Sequence, residues 1–174
     1  RYLLEHRHTT PFEMIQTWWE MELPIFVARQ LVRHRTVSIN EVSRRYVDGP
    51  VKFYEPAEWR GRAANKKQGS SDVPFCDQAA AETVARRAQE SAMQAYDELL
   101  DLGVCPEQAR IVLPVSVYTK WLWSQDLHNL LHMLRLRADP HAQWETRQYA
   151  IAMIDILHEV LPDLMEMAIE RTTV

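Results

Sequence analysis

The sequence predicts an α+β fold in which a small, mostly antiparallel sheet is flanked by long amphipathic helices. Two segments rich in aromatic and β-branched residues, 14–23 and 115–124, have the composition of strands. Apolar residues recur at every third or fourth position across 77–102, 127–136 and 151–161, which is the spacing of amphipathic helices. Prolines and glycines separate several of these segments and mark turns between them.

Length and composition fit one soluble globular domain that spans residues 1–174, with 47% hydrophobic and 25% charged residues. The net charge of −4 disfavours a nucleic-acid binder, for which a basic balance is expected. The two cysteines, Cys76 and Cys105, lack the paired spacing of a disulfide framework or a zinc site, which fits a reducing cytoplasm. No apolar run is long enough to span a membrane, so no membrane partner is expected.

Three local patterns fill the stretches between the predicted helices. Residues 10–13 read Thr-Pro-Phe-Glu, a capping-box pattern that predicts a helical turn with Thr10 at its N-cap. The strand that follows ends at Pro24, and a further short strand is predicted at 51–54. The polar, glycine-bearing segment 61–72 predicts a surface loop, with a lid over a binding site as the alternative.

The longest predicted helix covers 77–102 and has Gly103 where a C-terminal glycine belongs. Its alanine-rich face suits close packing on another helix or on a partner subunit, and a place in the core is the favoured interpretation. The last helix also supplies core residues, and Pro162 predicts a kink in it. The apolar positions of the long helix are Ala81, Val84, Ala85, Ala88, Ala92, Ala95, Tyr96 and Leu99.

The segment 33–46 is built to face charge. It contains four arginines, a histidine, two serines, an asparagine and a glutamate. Guanidinium groups offer planar sets of donors that suit phosphates and carbonyl-rich rings. Gln30 and Arg33 lie three residues apart in a short helix predicted at 24–33, so they share a face and are placed to bind one ligand. The residues alone leave two interpretations open, an anion-binding site and a solvated basic turn at a helix end.

Two further candidates lie in the second half of the chain. Arg110 stands among aliphatic residues in a helical turn predicted at 106–112, and it needs an anion. That anion is either an acidic side chain such as Glu107 or the phosphate of a ligand. His128 and His132 are four residues apart on a helix, a spacing that can bind a metal, but no acid stands between them. A metal-dependent helical enzyme that uses this pair is a third hypothesis.

The segment 33–46 contains the pattern Arg-His-Arg-x-x-Ser-x-Asn-x-x-Ser-x-Arg-Tyr. This pattern resembles the signature of the flavin-dependent thymidylate synthases. Segments 8–13, 109–114 and 135–145 also match that family in the expected order, so the resemblance covers most of the chain. Met14 departs from it, since many relatives have a histidine there, and Asp126, His128 and His132 stand where several relatives carry Asn, Arg and Asn. The matching signature residues are Arg33, His34, Arg35, Ser38, Asn40, Ser43, Arg45 and Tyr46.

The resemblance implies roles for individual residues. Arg137, which precedes an alanine in the last matching segment, corresponds to the catalytic arginine of the family. The nucleotide substrate is expected to contact Gln30, Arg33, Glu41, Ser43, Arg44, Arg45, Arg110 and Arg137. The flavin is expected to contact His8, Thr10, Glu13, Arg33, His34, Arg35, Asn40, Glu41, Asp126, His128 and His132.

The activity that the resemblance implies is methylation of dUMP to dTMP without a cysteine nucleophile. Methylenetetrahydrofolate supplies the carbon, and FAD reduced by NADPH supplies the hydride. The family also implies a homotetramer whose active sites are shared between subunits. Because relatives carry a strand-bearing segment before the point where this sequence begins at Arg1, an N-terminal segment is expected to be missing. The alternative is a non-catalytic nucleotide- or RNA-binding module that uses the same arginines.

Overall fold

The computed structural model of the protein describes residues 2–45, 50–63 and 69–169. The strands are β1 (Gln16–Pro24), β2 (Ser38–Glu41), β3 (Arg60–Arg62), β4 (Ser70–Pro74) and β5 (Tyr118–Asp126). The helices are α1 (Tyr2–Glu5), α2 (Thr10–Glu13), α3 (Ile25–Leu31), α4 (Gln78–Asp101), α5 (Pro106–Ala109), α6 (Leu127–Arg137), α7 (Trp144–Val160) and α8 (Pro162–Ala168), with a 3₁₀ turn at Arg110–Val112.

The main sheet has three antiparallel strands with β5 in the centre, between β1 and β2. Side chains along β5 alternate between its two faces, so Trp121 and Trp123 are buried while Leu122 between them is exposed. The rings of Trp121 and Trp123 lie 5.6 Å apart between centroids. Both strands predicted from their aromatic content are confirmed, and the second begins three residues later than expected.

Helices α3 and α6 pack against the sheet, and α7 packs on both of them. Full burial of a leucine-sized side chain contributes about 1.5–3 kcal/mol, so this layer is the main source of stability. The small antiparallel sheet flanked by helices is thereby confirmed. Pro162 does more than kink the last helix, because it begins the separate helix α8. The buried apolar residues of the three helices are Val27, Ala28, Leu31, Leu127, Leu130, Leu131, Met133, Leu134, Ala150, Met153, Ile154 and Leu157.

The last residue of β5 fixes the start of α6. Asp126 accepts a hydrogen bond from the backbone nitrogen of Asn129 at 2.9 Å, and its second oxygen accepts from Nδ2 of Asn129 at 2.7 Å. An aspartate at the N-cap satisfies a backbone donor that the helix leaves free. The central strand therefore passes directly into α6, which ends at Arg137 beside α3.

Two local predictions need correction. The helical turn at 10–13 is confirmed, but Thr9 occupies its N-cap and makes no side-chain cap bond. Its backbone is helical rather than extended, so the geometry that a capping side chain requires is not reached. The strand predicted at 51–54 is reduced to one bridge, Phe53 opposite Val117. Prolines flank this stretch and supply no backbone donors to a longer ladder.

The predicted loop 61–72 contains most of a second sheet. Strands β3 and β4 pair antiparallel, and Nε of Arg60 donates to Oγ of Ser70 at 3.0 Å to tie them together. The segment is short and polar, so it carries no strand signal that could be read from its pattern. Residues 64–68 lie outside the described part of the chain, and the lid alternative depends on them.

The long helix α4 is confirmed, capped by Asp77, whose side chain accepts from the nitrogen of Ala80, and followed by Gly103 at φ +86°. Its predicted place in the core is wrong, because Tyr96 is its one buried residue and Val84 is 57% exposed. The helix packs on α5 and the following 3₁₀ turn near its C-terminal end rather than on the main sheet. Among the described residues, no helix is both long and apolar enough to cross a membrane.

Candidate active site

The predicted catalytic arginine lies beside the signature histidine. Arg137 donates from Nε to Nε2 of His34 at 2.9 Å and from Nη2 to the backbone oxygen of Gln30 at 3.2 Å. Gln30 belongs to α3, and His34 lies in the loop that follows it. Helix α6, which begins at the junction capped by Asp126, thus places Arg137 at the end of α3. Two acceptors fix the direction of its half-buried guanidinium group.

His34 is held in its neutral form. Burial lowers the pKa of His34 below its ordinary value of 6.5, and the neighbouring Arg137 and His132 side chains lower this pKa further. The hydrogen bond from Arg137 also requires a neutral His34, because Nε2 must present a lone pair to the donating guanidinium. The proton of the neutral ring therefore resides on Nδ1.

The lowered pKa of His34 predicts a loss of stability in acid. The unfolded chain binds a proton at His34 near pH 6.5, whereas the folded protein binds it only at a lower pH. The contribution of His34 to the free energy of unfolding is therefore complete above pH 6.5 and is lost as the pH falls through the folded-state pKa. In His34→Gln, which retains an acceptor for Arg137, this part of the pH dependence should vanish.

Urea unfolding of the wild type and of His34→Gln at a series of pH values on either side of 6.5 measures the effect. His6→Gln is the control, because His6 is exposed on the N-terminal side and lies outside this contact. It should retain the wild-type pH dependence. If His34→Gln also retains it, groups other than His34 are responsible.

Arg33 and Arg35 present exposed guanidinium groups on either side of His34. In the part of the chain that the structure describes, neither of them forms an ion pair with a carboxylate. The described residues thus supply no carboxylate to neutralise either charge. Such a donor set fits an anionic group such as the pyrophosphate of a dinucleotide.

The other predicted flavin contacts lie mainly along α2 and α6, which pack on each other. His8, Thr10 and Glu13 are exposed at or beside α2, while His128 is half-buried and His132 exposed on α6. The carboxylate of Asp126 is already engaged in capping α6, and Asn40 is exposed on β2. Within the described ranges, no group of three or more His, Cys, Asp or Glu side chains is arranged to hold a metal ion.

A cavity of about 1020 Å³ opens beside Arg137, and we call it the Arg137 cavity. It lies between the β3–β4 pair, the end of α3 and the start of α7. Its walls combine aromatic rings with a small number of charged and amide groups, which is typical of sites for small organic ligands. The residues that define it are Gln30, Tyr54, Arg60, Arg137, Gln143, Trp144 and Glu145.

Glu145 is the buried charge of the Arg137 cavity. Its carboxylate forms an ion pair with Arg60, and it accepts a hydrogen bond from the hydroxyl of Tyr54 at 3.4 Å. The guanidinium carbon of Arg60 also lies 4.6 Å from the centroid of the Trp144 ring. Burial, and then the charge of Glu145, raises the pKa of Tyr54 to about 12, so its hydroxyl remains a donor.

Sequence reasoning missed this part of the cavity. Tyr54, Arg60 and Glu145 were not among the predicted site residues. Glu145 carried a usable signal, since it ends the last segment that matches the family and lies in the first turn of an amphipathic helix. Arg60 carried none, because it lies in a polar stretch 85 residues from Glu145 in the sequence.

A second cavity, of about 560 Å³, lies on the side of the sheet where β2 ends, and we call it the Arg110 cavity. Nε of Arg110 donates to the backbone oxygen of Glu107 at 3.3 Å, whereas the carboxylate of Glu107 pairs with Arg45 at 3.4 Å. The alternative of an ion pair between Arg110 and Glu107 is therefore wrong, since Glu107 neutralises a different arginine. The residues that define this cavity are Glu41, Ser43, Arg44, Lys52, Arg110 and Lys120.

The predicted substrate contacts thus lie in two separate cavities of one chain. Gln30 and Arg137 line the Arg137 cavity, while Glu41, Ser43, Arg44 and Arg110 line the Arg110 cavity. Arg33 and Arg45 line neither cavity, and Arg45 pairs with Glu107. Helix α3 ends at Leu31, so Arg33 lies beyond it, and the prediction that it shares a helix face with Gln30 is wrong. Tyr46, the last residue of the signature, lies outside the described residues.

Comparison with known proteins identifies the family to which the chain belongs. The family model described as "Thymidylate synthase complementing protein" matches residues 1–163. The chain therefore belongs to this family, that of the flavin-dependent thymidylate synthases, as its signature predicted.

Individual relatives agree with this assignment. A flavin-dependent thymidylate synthase of Thermus thermophilus is 49% identical over 161 residues, which cover 92% of this chain and 59% of the relative. That of Gluconobacter oxydans is 45% identical over 170 residues, covering 93% of this chain and 55% of the relative. The chain thus spans less than two thirds of the length of these relatives.

Solved structures give the same fold. The UMP/dUMP methylase PolB of Streptomyces cacaoi, bound with 5-Br UMP, matches with a TM-score of 0.87 and 34% identity over 95% of this chain and 77% of PolB. A second structure of PolB, bound with 5-Br dUMP, matches with a TM-score of 0.82 and 35% identity over 95% of this chain and 75% of PolB. The predicted fold class is confirmed by both.

Proposed function

We propose that the protein is an FAD-dependent thymidylate synthase that methylates dUMP to dTMP. Methylenetetrahydrofolate is the carbon donor, and NADPH reduces the flavin. The observation that carries this proposal is the contact of Arg137 with His34, which joins the family's catalytic arginine to its signature segment at the edge of a cavity. The nucleotides bound to PolB, a structural relative, support a uridine monophosphate as the substrate.

The residues of the signature loop fit a flavin. Arg33 and Arg35 offer guanidinium groups with no carboxylate partner among the described residues, and neutral His34 offers a ring donor between them. These three would hold the pyrophosphate or polarise the ring, with His8 and Thr10 closing from the side of α2. When bound, the flavin supplies the hydride for the new methyl group.

In this proposal, Arg137 activates the uracil ring. A guanidinium group beside N3 and the adjacent carbonyl stabilises negative charge as it develops there, which raises the electron density at C5. The bonds to His34 and Gln30 fix this group in place before the reaction, so little reorganisation is required. Cys76 and Cys105 are exposed and outside both cavity linings, in keeping with a reaction that uses no thiolate.

The Arg110 cavity has the task of binding the phosphate. Arg110 and Arg44 supply charge-assisted donors, and Ser43 adds a hydroxyl. These residues and Arg137 line separate cavities of one chain, which supports a site shared between two subunits. The homotetramer follows from the family resemblance, and the cytoplasmic location from the unpaired cysteines. On α4, the half-buried Ala92 and Ala95 lie outside both cavity linings and are available for contact between subunits.

The proposal is tested by the absorbance spectrum of the purified protein with FAD, before and after dUMP is added. We expect flavin bands that shift on addition of dUMP, and dTMP formation once NADPH and methylenetetrahydrofolate are present. RNA serves as the control ligand at several salt concentrations. A protein that takes up no FAD and binds RNA with a steep salt dependence would instead be the non-catalytic binding module.

A further inference from the structure

Two hydrogen bonds connect the buried Glu145 to the side chain of Gln30. Gln143 donates from Nε2 to Oε2 of Glu145 at 2.9 Å, and Gln30 donates from its own Nε2 to Oε1 of Gln143. All three residues line the Arg137 cavity. The backbone oxygen of Gln30 also accepts from Arg137, so this residue is held at both its backbone and its side chain.

The carboxylate of Glu145, at one end of this row of hydrogen-bonded side chains, determines the orientation of the side-chain amides of Gln143 and Gln30. Glu145, which is ion-paired with Arg60, accepts hydrogen bonds and does not donate them. Gln143 must therefore turn its amino group toward Glu145, which leaves its carbonyl oxygen to face Gln30. Gln30 in turn must present its amino group to Gln143. The carbonyl oxygen Oε1 of Gln30 is thus left available.

Reversal of the two side-chain amides would change the group that Gln30 presents to the cavity. If Gln143 were reversed, Gln30 would have to accept from it, and Oε1 of Gln30 would be occupied while its amino group faced the cavity. With the observed direction, Oε1 of Gln30 has no hydrogen-bond donor among the described residues. Gln30 therefore presents an acceptor to the cavity.

We propose that Glu145 is a positioning residue that acts through Gln143 to keep Oε1 of Gln30 as an acceptor for the nucleotide. The matching group on the ligand is a donor, either the N–H of the base or a hydroxyl of the sugar. This inference rests on the proposed function, because it takes the nucleotide to be the ligand of the Arg137 cavity. Glu145 and Gln143 themselves need not touch the substrate.

The test uses Gln143→Met, which interrupts the row and leaves the pair of Arg60 and Glu145 intact. The dissociation constant of dUMP is measured from the change in flavin absorbance. Loss of one oriented hydrogen bond predicts binding weakened about tenfold. FAD content and melting temperature should stay at the wild-type values. Gln94→Met is the matched control, because Gln94 also donates to a glutamate, Glu98, but lies on the exposed helix α4.

A double variant separates positioning from a general structural role. If Gln143 acts only through Gln30, adding Gln143→Met to Gln30→Met should weaken dUMP binding no further, whereas independent effects would add. Glu145→Gln, which can present either a donor or an acceptor to Gln143, should weaken binding as Gln143→Met does. Its melting temperature should also fall, because Arg60 loses its buried partner.

Each outcome bears on one of two statements. Wild-type affinity for dUMP in Gln143→Met would overturn this inference while leaving the proposed function standing. The inference would also be overturned if Gln143→Met had a lower melting temperature and FAD content, or if the effects in the double variant were additive. Either result would assign Gln143 a structural role. A wild-type protein that binds FAD but no dUMP would overturn the proposed function together with the inference.

Discussion

Arg137→Ala should lower kcat for dTMP formation about 10²- to 10³-fold, which is the usual loss when one donor to developing charge is removed. The guanidinium group of Arg137 is fixed by His34 and by the backbone of Gln30, so its charge acts without prior rearrangement. Flavin binding should be largely retained, because Arg33 and Arg35 are unchanged. Turnover is measured from dTMP formation, and the FAD content is measured from the absorbance spectrum.

Arg135→Ala is the control for this experiment. Arg135 has the same charge and lies two residues earlier on α6, but it is exposed and donates to the backbone oxygen of Ala168 at 2.9 Å. Its replacement should leave kcat within about twofold of the wild-type value. Wild-type turnover in Arg137→Ala would place the catalytic charge on another residue. Loss of FAD from Arg137→Ala would make this arginine a cofactor-binding residue instead.

The sequence predicted those parts of the fold whose side chains have a clear period. The aromatic residues of β5 occupy alternate positions, so a strand could be assigned from the pattern at Trp121 and Trp123. The pattern of β3, which reads Arg-Gly-Arg, contains no apolar residue to mark a buried face. For α4 the alanine spacing revealed a helix, but it could not show which element the helix packs against. Val84, which was predicted to lie in the core, is therefore found exposed.

The site was predictable as a set of residue types and not as a set of contacts. The signature supplied His34 and Arg137 through a resemblance, but their contact depends on how Asp126 directs α6 out of the sheet. The buried pair of Arg60 and Glu145 could not be predicted, because a charged residue is usually exposed. Only the folded chain shows that Glu145 is enclosed beside Arg137.

Trp123→Ala should have the largest effect on stability, with a free energy of unfolding lowered by about 3–5 kcal/mol. Trp123 is 0% exposed at the centre of β5, where it packs beside Trp121 and donates from Nε1 to Oε1 of Gln125 at 3.3 Å. Alanine would leave a cavity between the sheet and its helices and would remove the donor to Gln125. Urea unfolding followed by circular dichroism measures the change.

Leu122→Ala is the matched control, because Leu122 is the preceding residue of the same strand and is 41% exposed on the opposite face. The same strand loses a large apolar side chain in both variants, so the difference between them isolates burial from strand propensity. We expect Leu122→Ala to cost less than about 1 kcal/mol. Both variants must be compared at one protein concentration, since association of subunits would add to the apparent stability. Equal losses in the two variants would mean that Leu122 is covered in the assembled protein, which would make its face of the sheet a subunit contact.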